Sequence, residues 1–108
     1  DALKNLGEVL ANNSDVNVLV EGHTDNVPLN GSGVIKDNWD LSVKRATSVV
    51  KILLENSSIN AERLTAAGRA DYAPIATNDT KAGRAKNRRT EIILTPKLDE
   101  LFEILETN

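Results

Sequence analysis

Two short Val- and Ala-rich stretches on either side of one long amphipathic segment constrain this chain more than any other feature. "VNVLVEG" (16–22) alternates, with Val16, Val18 and Val20 on one face and Asn17, Leu19 and Glu21 on the other, the pattern of a strand. "RLTAAG" (63–68) reads as a second, shorter strand. Between them, residues 39–55 carry Trp39, Val43, Ala46, Val50 and Leu53 at helical spacing, one apolar stripe along a helix. A helix of that length between two strands is a crossover. The strands it joins should therefore be parallel neighbours, with the helix packed on their sheet.

The rest of the chain extends that unit. "DALKNLGEVL" places Leu3, Leu6 and Leu10 on one face of a first helix, which "NNSD" (12–15) ends. Residues 26–37, with Pro28, Gly31 and Gly33, form a loop. "NSSINAE" breaks the long helix, and Thr80 caps a short helix over 81–87. "RRTEIILT" is a last strand with Thr90, Ile92 and Leu94 on one face, stopped by Pro96. "KLDELFEIL" is a final amphipathic helix carrying Leu98, Leu101, Phe102 and Leu105. Strands alternating with helices define a layered α/β domain. Asp40 and Lys44, four apart, form a surface pair on the long helix.

At 108 residues the chain fits one small domain. Aromatics are only 3%, so Leu, Ile, Val and Ala must fill the core. No apolar run reaches the ~18 residues of a membrane-spanning helix, and no signal peptide is present. The chain starts at Asp1, without an initiator Met and already in a helical pattern, and reads as part of a longer protein. The absence of Cys excludes disulfides and thiolate metal sites. A net charge of -3 argues against a general nucleic-acid binder, although "KAGRAKNRR" (81–89) gathers five of the thirteen basic residues.

Candidate functional residues cluster where strands reach the surface. In "EGHTDNVPLN" (21–30), Asp25 lies just past the end of a strand expected to be parallel, where α/β sheets bind ligands. The bland alternative is a turn aspartate bonded to its own backbone. Asn38 and Arg45 lie two turns apart on the long helix, within about 20° of each other and to the side of the Trp39 stripe. Asn38 alone reads as an N-cap, and Arg45 alone as a solvated side chain. Together, Asp25 and Arg45 suit a zwitterion, the acid holding an ammonium and the arginine a carboxylate. Arg88 and Arg89 open the last strand and point to opposite faces, so that one reaches the same mouth and the other is solvated. His23 is the only histidine, which leaves no soft-ligand metal site and little for acid–base chemistry. No nucleophile elbow, phosphate loop or cofactor motif occurs.

"VEGHTDNVP", "NWDLSVKRATSVV", "LTAAGRADYAPIATNDT" and "GRAKNRRTEI", in this order and spacing, closely resemble the OmpA-like C-terminal domain. That family takes in outer-membrane porin tails, peptidoglycan-associated lipoprotein and the stator protein MotB. "GHTDNVP" with "NW.LS..RA" is most similar to the stator type. The resemblance covers about residues 1–95 and implies a two-layer sandwich in which helices pack on a small mixed sheet. It implies non-covalent binding of peptidoglycan, with Asp25 and Arg45 clasping the free end of diaminopimelate in the stem peptide. Asn38, Arg88 and, as a flanking contact, Thr24 are carried over from the same motifs. It calls for no metal, cofactor or catalysis.

Two departures stand beside it. The family's first strand, before the first helix, is absent from the sequence, which lowers the expected affinity and leaves a sheet edge open. The helix over 97–108 lies beyond the family core, here taken as 1–96, and covers that edge, packs on the domain or contacts a partner, a homodimer included. The expectation is a periplasmic wall-binding module of a Gram-negative envelope protein, carried on an outer-membrane or otherwise membrane-anchored chain. The rival readings are a protein-interaction module acting through the last helix and a nucleic-acid binder using "KAGRAKNRR", which lacks a stacking platform.

Overall fold

The structure, a computed structural model, describes residues 2–97 and residue 105. Its elements are α1 (Ala2–Ala11), β1 (Val16–His23), α2 (Asn38–Asn56), a 3-10 turn (Ala61–Arg63), β2 (Leu64–Gly68), α3 (Lys81–Asn87) and β3 (Arg89–Pro96). The sheet order is β2-β1-β3. The crossover requirement holds: β1 and β2 are parallel, in register from Val18 opposite Leu64 to Gly22 opposite Gly68. β3 returns antiparallel along the whole of β1, from Val16 opposite Pro96 to His23 opposite Arg89, which makes the sheet mixed. Pro96, which lacks a backbone donor, is tolerated at the end of this edge strand.

Helices α1 and α2 pack on each other, and α2 packs on β1 and β2, giving two layers. The core between them comprises Leu10, Val18, Val20, Ala46, Leu53 and Ile59, with Leu6, Val49, Val50, Leu64 and Ile92 against it. Val18 and Val20 are inward by the alternation of β1, and Ala46 and Leu53 by the seven-residue recurrence of α2.

The stripe expected on α2 is buried only in part. Trp39 and Val43 remain 49% and 44% exposed, Val43 lying over Gly68, the last residue of β2, and Trp39 one turn before it. Trp39 stacks instead on Tyr72, ring centroids 5.4 Å apart. Asp40, expected to pair with Lys44, accepts a 2.9 Å hydrogen bond from the Lys36 backbone N–H. The Thr80 cap forms as expected, its hydroxyl accepting from the Gly83 N–H at 3.0 Å. The amphipathic helix expected over 97–108 lies outside the described residues except for Lys97 and Leu105. Leu105, assigned there to the apolar face, is exposed.

Small residues set the distance between the layers at the end of the sheet nearest α2. A Cβ on Gly22 would collide with the Ser42 carbonyl, and one on Gly68 with Ser42 and Val43. Ser42 is itself buried, donating to the Trp39 carbonyl at 2.9 Å and accepting from the Ala70 N–H at 3.1 Å. This close approach brings the start of α2 down onto the end of β1.

A candidate ligand-binding cavity at the end of the parallel strands

Past His23 the chain stays pinned. The Thr24 N–H donates to the Ala70 carbonyl at 2.8 Å, and the Arg69 N–H to the Gly22 carbonyl at 3.0 Å. These bonds continue the β1–β2 pairing into the loops. They hold Thr24 and Asp25 nearly buried, at 3% and 8% exposure. Ala70 adopts φ 50°, the left-handed region that costs an alanine about 1 kcal/mol or more. The bonds made by its own N–H and carbonyl fix that turn.

Asp25 is more than a local turn residue. Its Oδ1 does accept from the Val27 N–H at 3.1 Å, the bond of the bland reading. Its Oδ2, however, accepts from Arg88 Nη1 at 2.7 Å, across 63 residues of chain. Thr24 donates its hydroxyl to the Asp25 carbonyl at 2.9 Å. Asn38 is not the cap of α2. Asp37 takes that role, accepting from the Asp40 N–H at 2.9 Å. Asn38, the first helical residue, turns its amide back onto the loop and donates to the Val27 and Asp25 carbonyls at 3.1 and 3.4 Å. Arg45, two turns on, is half-buried and donates from Nη1 to the His23 carbonyl at 3.4 Å.

All five residues singled out in the sequence line one cavity of about 410 Å³. Thr24 and Asp25 come from the end of β1, Asn38 and Arg45 from one face of α2, and Arg88 from the end of α3. Val27, Pro28, Leu29 and Leu41 supply an apolar wall, and Lys81 and Arg84 a further basic one. Such a cavity offers a partly shielded carboxylate, a guanidinium facing it and aliphatic surface between. Those are the elements that hold an elongated molecule with a zwitterionic end.

Arg89 is not solvated as expected. β3 begins at Arg89 itself, so alternation turns it to the sheet face away from α2, beside Glu91 and opposite His23. It donates to Glu91 Oε2 at 2.6 Å and to the Ala73 carbonyl at 2.9 Å. His23 is buried on that same face, its Nε2 lying 2.8 Å from Glu21 Oε1. Only the His23 backbone serves the cavity, through its bond with Arg45.

Sequence reading noticed Lys81 and Arg84 in the basic run but did not assign them to the site. The available signal was spacing: 81, 84 and 88 recur at three and four, which puts them on one helical face. Asn87, wholly buried, was missed as well. Its side chain accepts from the Ile75 and Ala76 N–H groups and donates to the Ala76 carbonyl and to Asn78 Oδ1, at 2.8–3.0 Å, tying the loop before α3 to its end.

The comparisons with known proteins agree with this architecture. The sequence pattern of the OmpA family matches residues 1–88. Motility protein B of Bacillus subtilis is 39% identical over 94 residues, spanning 87% of this chain and 36% of that protein. Peptidoglycan-associated lipoprotein of Buchnera aphidicola is 33% identical over 91 residues, 84% of this chain and 49% of that one. The chain therefore spans less than half the length of either relative. The periplasmic domain of Helicobacter pylori MotB superposes with a TM-score of 0.79 and 27% identity, covering 98% of this chain and 69% of that structure. On its sequence pattern, its three-stranded mixed sheet and its helical layer, this chain belongs to the OmpA family.

Proposed function

We propose that this domain binds peptidoglycan non-covalently, gripping the free end of diaminopimelate in the stem peptide, and thereby tethers an envelope protein to the cell wall. The observation that carries this reading is the convergence of Asp25 and Arg45 on one cavity from separate elements. A carboxylate offers about four lone-pair sites. Asp25 thus keeps Arg88 and the Val27 N–H and still accepts from a ligand ammonium. Arg45 has one long bond to a carbonyl and retains donors for a ligand carboxylate. Arg88 orients the acid, Asn38 holds the loop that carries it, and the aliphatic wall receives the methylene chain of the ligand. The similarity to a lipoprotein named for its association with peptidoglycan supports the same ligand class. Among the described residues no helix is long and apolar enough to cross a membrane.

Competition on purified sacculi tests this reading. Domain bound to sacculi is challenged with soluble stem peptides carrying diaminopimelate, lysine, or diaminopimelate amidated at its free end. Lysine keeps the ammonium and lacks the carboxylate, leaving Arg45 unpaired. The loss is about 1.5–3 kcal/mol, or one to two decades in affinity. Equal displacement by the lysine and diaminopimelate peptides would exclude the two-ended grip.

A companion prediction concerns Arg45 itself. Arg45→Lys should weaken wall binding nearly as much as Arg45→Ala, because an ammonium cannot present two parallel donors to a carboxylate. Retention of full co-pelleting by the lysine variant would reduce Arg45 to a general positive charge.

A further inference from the structure

The cavity holds more positive charge than a zwitterion needs. Arg45, Lys81, Arg84 and Arg88 line it against a single carboxylate, Asp25, in a chain whose net charge is -3. Asp25 is already paired with Arg88. Arg45, Lys81 and Arg84 form no ion pair with any carboxylate of the described residues. A diaminopimelate end brings one ammonium for Asp25 and one carboxylate for Arg45, and is neutral. Lys81 and Arg84 then remain uncompensated in the lining of the same cavity.

Nor is that wall a loose basic fringe. Arg84 is half-buried and anchored, donating from Nη1 to the Asn78 carbonyl at 2.9 Å. Asn78 is in turn gripped by the buried Asn87. A guanidinium held this way has given up conformational freedom in advance and retains further donors.

Resting on the function proposed above, we infer that Lys81 and Arg84 form a second anion subsite, which reads another carboxylate of the same stem peptide. The ligand is thus recognised as a net anion and not as a neutral zwitterion. A stem tetrapeptide carries two such groups beyond the diaminopimelate end: the α-carboxylate of its glutamate and its C-terminal carboxylate.

Titration calorimetry of the 108-residue chain with three tetrapeptides tests the assignment. One has all carboxylates free, one is amidated at the glutamate, and one is amidated at the C-terminus. At least one amidated peptide should bind about tenfold more weakly than the free one, since a charge-assisted contact becomes a neutral one. Which peptide weakens identifies the carboxylate that is read. In the double variant Lys81→Gln, Arg84→Gln, the preference for the free peptide should collapse to within about twofold, the protein partner being gone. Glutamine keeps a polar, uncharged side chain at both positions, and a thermal melt confirms folding. Should the double variant unfold, Lys81→Gln alone, at an exposed position, should still narrow the preference.

Equal binding of all three peptides by the wild type overturns the second subsite and leaves the diaminopimelate grip standing. A preference that persists undiminished in the variants also overturns it. Failure of the wild type to bind any of the three removes the functional reading, and this inference with it.

Discussion

Asp25→Ala should abolish most co-sedimentation with purified sacculi, and Asp25→Asn should do nearly the same while disturbing the fold less. The acid is at the centre of the proposed grip. Its bond to a ligand ammonium is charge-assisted, and losing such a bond costs about 1.5–3 kcal/mol, ten- to more than a hundredfold in affinity. A turn aspartate bonded only to its own backbone would have little bearing on stability beyond its loop. The side chain is instead mostly shielded and bonded at both oxygens, to Arg88 and to the Val27 N–H. Alanine therefore strips two native partners as well as the ligand contact. Asparagine can satisfy one of the two through its single oxygen, and its amide faces the other without accepting. Because the Arg88 side chain is 44% exposed, water compensates much of that loss. The asparagine variant should cost about 1 kcal/mol of stability or less. A folded Asp25→Asn protein that still pelleted with sacculi like the wild type would falsify the placement of the ligand ammonium at Asp25.

How much of this was readable before the fold was known depends on the range over which each residue acts. The crossover was legible because its signals are local: alternation in β1, a helical stripe in α2 and a capping threonine before α3 each lie within a few residues of what they specify. The meeting of Asp25 with Arg45 was legible at one remove, since one loop joins strand to helix and the end of a parallel strand is a predictable mouth. The Arg88–Asp25 bond spans 63 residues, and no spacing rule reaches that far. The likeness to a known family supplied Arg88 as a site residue, as it supplied Thr24, but not this bond. Where the reading went astray, the sheet ended sooner than the helix did. The stripe on α2 predicted burial for Trp39 and Val43, but β2 stops at Gly68, beneath Val43, and Trp39, a turn earlier, stacks on Tyr72 instead. The contribution of Gly22 and Gly68 escaped for a different reason. A glycine's role as a close-approach point depends on what packs above it, here Ser42, and its own sequence neighbours carry no trace of that.

Arg63→Ala should be among the most destabilising single substitutions in the domain, although nothing in "AERLTA" marks it. The side chain is 7% exposed and has no carboxylate partner among the described residues. Its guanidinium donates to three carbonyls: Leu10 at 2.8 Å, Asn13 at 2.6 Å and Val16 at 3.0 Å. The first belongs to the last turn of α1, where it also accepts from the Asn13 N–H at 3.1 Å, and where a cation meets the negative end of the helix dipole. The other two lie in the turn after α1 and at the first residue of β1. One planar donor thus joins the end of α1 to the start of β1 from 47 to 53 residues away. Removing it takes a donor from three carbonyls, of which Leu10 keeps the Asn13 N–H at 3.1 Å, and opens a void. The expected loss is about 2–4 kcal/mol, out of the ~5–15 kcal/mol typical of a domain. Urea unfolding should show a lower midpoint at an unchanged slope. Arg63→Met separates the two causes, because it keeps an apolar stem and removes every donor. A methionine variant as stable as the wild type would show that packing, and not the three bonds, holds this corner. Arg63 supports the start of β1, whereas the ligand cavity opens beyond the end of that strand. The same variants, assayed with sacculi below their unfolding transitions, should therefore bind like the wild type. A loss of binding in still-folded protein would mean that strain introduced at Val16 travels the length of β1 to Asp25.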